Sequence, residues 1–307
     1  MRFAGSGLSV RFKRALAHLE VESAREPDCT FFVGDDATTG VRLPVDRFAS
    51  PGTYVVTSSD DPTRTAVAAY DAERGIFNAL DRDGGIGVFW CSDAMRLPQW
   101  EDGAPLRILL HWWTANDQRH QVHGGAVGRS GGGVLVVGPG GSGKSTTALA
   151  CALGGLEYAG DDYTVVCMKE GPTAHSLYNS AKLEWKHAGR FPSLMGSISN
   201  QAGRGDEKAL IFMNEVMPDR VVPRLDIAAV LVPEVGTIDV ASASAISRAE
   251  ALRALALSTI AQLPGGADQA LSVMRALIAA VPCYRLTLGR DIGSVVGVVD
   301  DVLGSSG

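Results

Sequence analysis

The sequence lacks the excess of basic residues that many nucleic-acid-binding proteins have. It contains 34 Asp and Glu against 28 Lys and Arg, and its net charge at pH 7 is −6. No apolar run approaches the length that crosses a bilayer, and no long apolar stretch that resembles a signal peptide follows Met1. These absences predict a cytoplasmic protein that binds neither nucleic acid nor a membrane.

Regularly spaced cysteines are also missing. The chain has five cysteines, and none of them forms a Cys-x-x-Cys pair. An odd, scattered set is typical of reduced thiols, and the side chains are expected to be small buried groups. The sequence therefore predicts no disulfide framework.

The chain does have enough apolar residues for a sizeable core. Hydrophobic residues make up 46% of its 307 residues, which is sufficient for two domains. Short strand-like runs at residues 31–33 and 54–57 are separated by Gly, Pro and Asp, and a Gly- and Pro-containing stretch near residues 100–105 suggests a boundary. We predict a β-rich accessory or docking domain over residues 1–105 and a larger domain over residues 106–307. The fold class is α/β (α+β overall).

Local patterns predict several further elements. Residues 227–233 form an apolar run typical of a buried strand, and residues 284–289 alternate as a last strand. Residues 248–263 and 267–280 are rich in Ala and Leu, which predicts two helices. A shorter helix is expected over residues 16–22.

One stretch carries a complete phosphate-binding pattern. Residues 134–137 are apolar and mostly β-branched, which predicts a strand, and residues 145–153 predict a helix. Between them stands the P-loop pattern Gly-x-x-x-x-Gly-Lys-Ser, whose glycines let backbone N–H groups face a phosphate. A glycine-rich turn that binds nothing is the alternative, but strand, spacing, lysine and helix are all present. The predicted nucleotide-binding residues are Gly138, Gly140, Gly141, Ser142, Gly143, Lys144, Ser145 and Thr146.

Two acids follow the predicted P-loop helix after one short apolar stretch. Asp161 and Asp162 would form a plain turn in another setting. Here so short a crossover returns them to the phosphate end, where one carboxylate is placed to bind Mg²⁺ and the other to take a proton from an attacking hydroxyl. His123 precedes a Gly-rich hairpin that leads into the P-loop strand, so the hairpin is expected to bring it alongside that strand.

Lysines are scarce, which gives weight to those near the acids. The chain has only six, and three lie in the polar region downstream of residue 175. A cation in this region is placed to meet a transferred phosphate, whereas a solvated amphipathic helix is the alternative. The candidate phosphate or substrate contacts are Lys182, Arg204, Glu207 and Lys208.

Three elements in this order resemble the HPr kinase/phosphorylase superfamily: His123-Gly124, the P-loop at 138–145, and Asp161-Asp162. The match covers residues 120–170. Residues 176–183, with Glu207-Lys208 later, are similar to a divergent branch that includes kinases acting on a serine hydroxyl of lasso-peptide precursors. The resemblance implies the mixed sheet with flanking helices that HPr kinases share with phosphoenolpyruvate carboxykinases. The regulatory domain and the carboxy-terminal signature of HPr kinases are not found, so neither HPr as substrate nor phosphorolysis is implied.

The same resemblance implies roles for the matched residues. Asp161 would be the general base on the acceptor hydroxyl, with His123 beside it to set its ionisation. Asp162 would help Ser145 to hold Mg²⁺, and Lys144 would contact the phosphates of ATP or GTP.

Three functions are compatible with these patterns. The first is a Mg²⁺- and NTP-dependent kinase that phosphorylates a seryl hydroxyl of a peptide or small protein, such as a lasso-peptide precursor. The second is a kinase of the same fold that acts on a hydroxyl of a small metabolite. The third is a nucleotide-binding regulatory module without transfer chemistry. The sequence leaves open whether the chain assembles into a homo-oligomer.

Overall fold

The computed structural model describes residues 1–23, 25–42, 52–57, 65–201 and 207–305. The chain divides into two units. The first comprises Met1–Arg14 and Glu20–Trp113, and the second comprises Ala15–Leu19 and the chain from Thr114 onward. Arg204 lies outside the described residues.

A six-stranded sheet forms the first unit. Its order is β1-β2-β6-β5-β4-β3, with β1, β2 and β6 parallel to one another and the remaining pairs antiparallel. The turns that join β4 to β5 and β5 to β6 end in Gly75 and Gly85, which both have a φ of +62°. The strands are β1 (Arg2–Phe3), β2 (Thr30–Asp35), β3 (Gly52–Thr57), β4 (Thr65–Asp71), β5 (Ile76–Asp81) and β6 (Ile86–Cys91).

Helices cover the core of this unit. Phe12 of α1 packs edge-to-face on Phe89, with ring centroids 5.4 Å apart. Leu106, Leu109 and Trp112 are buried in the same core, so most of α4 belongs to the first unit. The first unit therefore extends to Trp113. The helices are α1 (Gly7–Leu16), α2 (Asp36–Thr39), α3 (Trp100–Gly103) and α4 (Arg107–Thr114).

The second unit is built on a nine-stranded mixed sheet. Its central strand β15 is parallel to β9 and to β17, and β9 is antiparallel to β8. β13 and β14 form a separate two-stranded sheet. The strands are β7 (Arg119–Val122), β8 (Gly124–Arg129), β9 (Gly132–Val137), β10 (Glu157–Gly160), β11 (Thr164–Cys167), β12 (Thr173–Ser176), β13 (Ser180–Leu183), β14 (Ala209–Phe212), β15 (Arg224–Val235), β16 (Ser242–Ala245) and β17 (Cys283–Leu288).

Both faces of this sheet are covered by helices. Val134 and Val136 of β9 point into a cluster with α5 and α10, whereas Leu135 and Val137 point into a second cluster with α8 and α9. Alternate residues of a strand face opposite sides, so one short strand contributes to both cores. The helices are α5 (Lys144–Leu153), α6 (Trp185–Ala188), α7 (Met213–Val216), α8 (Arg248–Gln262), α9 (Ala267–Ala280) and α10 (Ser294–Gly304).

The predicted strand at 227–233 and the helices at 248–263 and 267–280 are confirmed as β15, α8 and α9. The predicted helix at 16–22 is wrong, because α1 ends at Leu16 and only a 3₁₀ turn over Ala17–Leu19 follows. The apolar side chains that find a core, Leu8 and Phe12, lie earlier in the chain and set the position of the helix. Across the described ranges, no helix is long and apolar enough to span a membrane.

Candidate active site

The P-loop connects the carboxyl end of β9 to the amino end of α5. Gly138, Gly141 and Gly143 have φ angles of +147°, +79° and +110°, which favour glycine. At Gly143 an added Cβ would lie 2.3 Å from Cδ1 of Leu288, so a larger residue does not fit. At Gly140 or Gly141 an added Cβ would meet nothing within 4 Å, so this part of the loop faces open space. The backbone thus has the bend of a phosphate cradle with room on its outer side.

Lys144 folds back over the loop that precedes it. Its Nζ donates hydrogen bonds to the carbonyl oxygens of Gly138 and Pro139, at 2.8 and 3.2 Å. Burial lowers the pKa of Lys144, while the charges of Asp162 and Asp161 oppose that shift. Both carboxylates are therefore near enough to Lys144 to favour its charged form.

His123 lies where β7 ends and β8 begins. Gly124 pairs with Val137, the last residue of β9, so the hairpin places His123 beside the start of the P-loop. The resemblance places this ring beside Asp161. In the structure its Nε2 lies 3.0 Å from Oδ1 of Asp162, because consecutive side chains of the acid turn point in different directions. Burial lowers the pKa of His123, and the hydrogen bond to Asp162 partly offsets this effect.

The two acids occupy the turn between β10 and β11. Asp161 is only 1% exposed, and its Oδ2 accepts a hydrogen bond of 2.9 Å from the backbone N–H of Lys182. The Ser145 hydroxyl is near enough to act as a donor that lowers the pKa of Asp161. The side chain of Asp162 is 24% exposed. One acid therefore faces the amino end of α5, and the other is partly accessible from solvent.

The two carboxyl groups have opposite pKa shifts. Burial and, to a smaller extent, the charge of Asp162 together raise the pKa of Asp161 to about 6. Burial also acts on Asp162, but the Lys182 charge and the His123 hydrogen bond outweigh it and hold the pKa of Asp162 well below its usual value. At neutral pH Asp162 is firmly ionised, while Asp161 carries a charge that is costly to bury.

Lys182 reaches the acids from β13. Its Nζ lies 3.0 Å from Oδ2 of Asp162, and its side chain is only 11% exposed. The same ammonium group lies 5.9 Å from the ring centroid of Tyr163. Lys182 is thus the predicted contact residue that the structure brings fully into the site.

The remaining predicted contacts lie further out. Lys208 forms an ion pair of 3.7 Å with Glu184, and both side chains are nearly half exposed. The charge of Lys208 nevertheless contributes to the lowered pKa of Lys144. Glu207 precedes β14 and is partly exposed.

Three residues that sequence reasoning missed surround His123. Thr259 accepts a hydrogen bond of 3.1 Å from the His123 backbone N–H, and Nε2 of Gln262 lies 3.0 Å from Nδ1 of the ring. The hydroxyl of Tyr163 donates to Oε1 of Gln262. Tyr163 follows the acids directly, but Thr259 and Gln262 lie in an Ala- and Leu-rich helix with no motif to mark them.

Gly125→Ala is expected to lower the free energy of unfolding by about 1–3 kcal/mol. An added Cβ would lie 2.8 Å from the carbonyl oxygens of both Gly160 and Asp161, so the acid turn must move away from β8. Denaturant unfolding measures the effect. The matched control is Gly297→Ala in α10, where an added Cβ meets nothing within 4 Å and helix propensity favours Ala. Equal stability of the two variants would mean that the close approach does not constrain the turn.

The second unit is thus a mixed α/β fold with a P-loop and, at the phosphate end of that loop, two acids, a histidine and two lysines. No family model matches the sequence, and no curated protein matches it. Among solved structures, the chain is similar to the HPr(Ser) kinase/phosphatase from Coxiella burnetii, with 11% sequence identity and a TM-score of 0.34. That similarity covers 61% of this chain and 99% of the other.

Proposed function

We propose that the protein is a Mg²⁺- and NTP-dependent kinase that transfers the γ-phosphoryl group to a seryl hydroxyl of a peptide or small protein. One observation carries the proposal. A partly exposed, ionised carboxylate, Asp162, is held between His123 and Lys182 beside a complete P-loop. Nucleotide binding uses one carboxylate beside the P-loop, for Mg²⁺, whereas a kinase needs a further one to position its acceptor, and Asp162 lies next to Asp161 as that second carboxylate.

The site fits phosphate and Mg²⁺ through polar atoms that lack partners. The buried Oγ of Ser142 and Oδ1 of Asp161 accept or donate no hydrogen bond of good geometry to any residue in the described part of the chain. In the same part of the chain, no group of three or more His, Cys, Asp or Glu side chains forms a metal site. Mg²⁺ does not require such a group, because proteins hold it through one or two side chains together with substrate phosphates and water.

The two acids have different neighbours, and we assign their roles accordingly. Asp161 lies against Ser145, the P-loop hydroxyl that contacts Mg²⁺ in this class of site, so Ser145 and Asp161 would hold the ion. When bound, Mg²⁺ neutralises charge on the β- and γ-phosphate oxygens. Asp162 is the acid that an acceptor reaches from solvent. This assignment exchanges the roles that the family resemblance implies for Asp161 and Asp162.

The chemistry of transfer follows from these positions. The acceptor hydroxyl donates a hydrogen bond to Asp162, whose oxygens keep free lone pairs beside those used by His123 and Lys182. The acceptor oxygen forms a bond to the γ-phosphorus as the bond to the β–γ bridging oxygen breaks, and the hydroxyl proton passes to Asp162. Lys144 and Lys182 stabilise the charge on the phosphoryl oxygens. Because the transition state is loose, a weakly basic carboxylate is sufficient as an orienting group.

A seryl side chain fits this geometry because it is small enough to bring its hydroxyl to a carboxylate that is only a quarter exposed. Within this class, a lasso-peptide precursor is the acceptor that the family resemblance suggests. The experiment uses the full chain with γ-labelled ATP or GTP and Mg²⁺. It compares serine-containing peptides, including lasso-precursor sequences, with the same peptides carrying Ser→Ala, and with small polyols.

Label on the serine peptide, absent from its Ala partner and abolished by EDTA, is the expected result. Label on the polyols alone would establish a metabolite kinase instead. Nucleotide binding without label on any acceptor would favour a regulatory module and would overturn the proposal.

A further inference from the structure

The last turn of α8 is joined to the acid turn through a chain of side-chain hydrogen bonds. Tyr163 donates to Oε1 of Gln262, Nε2 of Gln262 faces Nδ1 of His123, and Nε2 of His123 faces Asp162. The same turn of α8 holds the His123 backbone through Thr259. One end of a helix therefore contacts both the main chain and the ring of His123.

The Gln262 amide determines which group donates and which accepts in each of these hydrogen bonds. Its Oε1 is occupied by the Tyr163 hydroxyl, so its NH₂ group faces Nδ1 of His123. An NH₂ group only donates, so Nδ1 must carry the lone pair and the ring proton must be on Nε2. From Nε2 that proton is donated to Oδ1 of Asp162.

We infer that Gln262 is a positioning residue for the proposed phosphoryl transfer, and that Gln262 with Tyr163 fixes the orientation and tautomer of His123 so that its Nε2–H points at Asp162. The inference rests on the proposed function for its effect on rate, and on the hydrogen-bond geometry alone for its effect on the ring. A reversed amide would put a carbonyl oxygen against Nδ1, which would then need a proton of its own. With Nε2 also donating to Asp162, the ring would be forced into the charged form although His123 is only 4% exposed.

The first test observes the ring itself by ¹⁵N–¹H NMR of the full chain labelled in histidine. The expected wild-type spectrum shows a proton on Nε2 of His123 and none on Nδ1. In Gln262→Glu a carboxylate replaces the donor, so a proton is expected on Nδ1 as well. A proton on Nδ1 in the wild type, or an unchanged ring in Gln262→Glu, would overturn the inference whether or not the protein is a kinase.

The second test measures kinetics with γ-labelled ATP and the best acceptor found. Gln262→Leu is expected to lower kcat about tenfold and to leave KM for ATP unchanged, because a misaligned orienting group slows transfer without touching the P-loop. Tyr163→Phe keeps the ring that packs on His123, at a centroid distance of 5.4 Å, and is expected to lower kcat about threefold. The double variant should be no slower than Gln262→Leu, since both changes break one chain of contacts.

The matched control is Arg253→Ala, an exposed position on the same helix, which should behave as wild type in both tests. Multiplying effects in the double variant, or a kcat of Gln262→Leu equal to that of the control, would overturn the inference. If the wild type transfers no phosphate at all, the proposed function fails, and the NMR result still decides whether Gln262 fixes the ring.

Discussion

Asp162→Asn is expected to lower kcat for phosphoryl transfer by about 10²- to 10⁴-fold, with little change in KM for ATP. Asn accepts a hydrogen bond from Nε2 of His123, but it cannot take up the hydroxyl proton. It also places a neutral amide against Nζ of Lys182, where an ionised oxygen now lies at 3.0 Å. The substitution leaves the P-loop residues that are proposed to bind ATP unchanged. Steady-state kinetics at saturating Mg²⁺ measure the change.

The same substitution should also lower the stability of the fold. Its effect on folding therefore has to be measured separately from its effect on kcat. Lys182 loses its carboxylate partner while its side chain stays 11% exposed, so we expect the free energy of unfolding to fall by about 1–3 kcal/mol. Calorimetric titration with ATP at a temperature well below the unfolding midpoint separates lost chemistry from lost folding. A kcat within tenfold of wild type would mean that Asp162 does not take the proton.

Asp161→Asn is expected to act in the opposite direction on stability. In metal-free buffer at pH 8 it should raise the free energy of unfolding by up to about 3 kcal/mol, because it removes a charge that burial disfavours. The pKa of Asp161 is raised from 3.8 to about 6 in the folded protein. Asn still accepts the hydrogen bond from the Lys182 backbone N–H. Chemical denaturation at several pH values, with EDTA present, measures the difference.

The sign of the pH dependence follows from that raised pKa. Between the two pKa values the folded protein binds the proton more tightly than the unfolded chain does, so the wild type loses stability as pH rises from about 4 through 6. The gain from Asp161→Asn should therefore be largest above pH 7 and vanish below pH 4. A gain that is independent of pH would show that the buried charge is not its cause.

The substitution Asp161→Asn is also expected to weaken the response of the rate to Mg²⁺. If Asp161 and Ser145 hold the ion, Asp161→Asn should raise the Mg²⁺ concentration for half-maximal rate at least about tenfold. Asp162→Asn should leave that concentration near the wild-type value. The reverse pattern, with the Mg²⁺ response lost in Asp162→Asn alone, would restore the roles that the family resemblance implies.

Several features of the second unit follow from local sequence. The β-branched apolar run at residues 134–137, the P-loop glycines and the Ala- and Leu-rich runs each specify an element within one short window. The structure has β9, the P-loop turn, α5, α8 and α9 at those places. By contrast, the place of α4 depends on distant residues, because Leu109 and Trp112 pack in a core that includes Leu8, Phe12 and Phe89. Distant partners of this kind leave no periodic signal.

The sequence by itself determined the strand, the glycine-rich turn and the helix of the P-loop pattern, because these elements are set by neighbouring residues. It also predicted two acids and a histidine near that turn. Only the tertiary structure decided which acid each neighbour contacts. Asp161 and Asp162 are adjacent in the chain but have different contacts: the backbone N–H of Lys182 donates to Asp161, whereas the side chains of His123 and Lys182 contact Asp162. Gln262 reaches His123 only because α8 packs across the sheet, and that packing depends on the whole core and not on any motif.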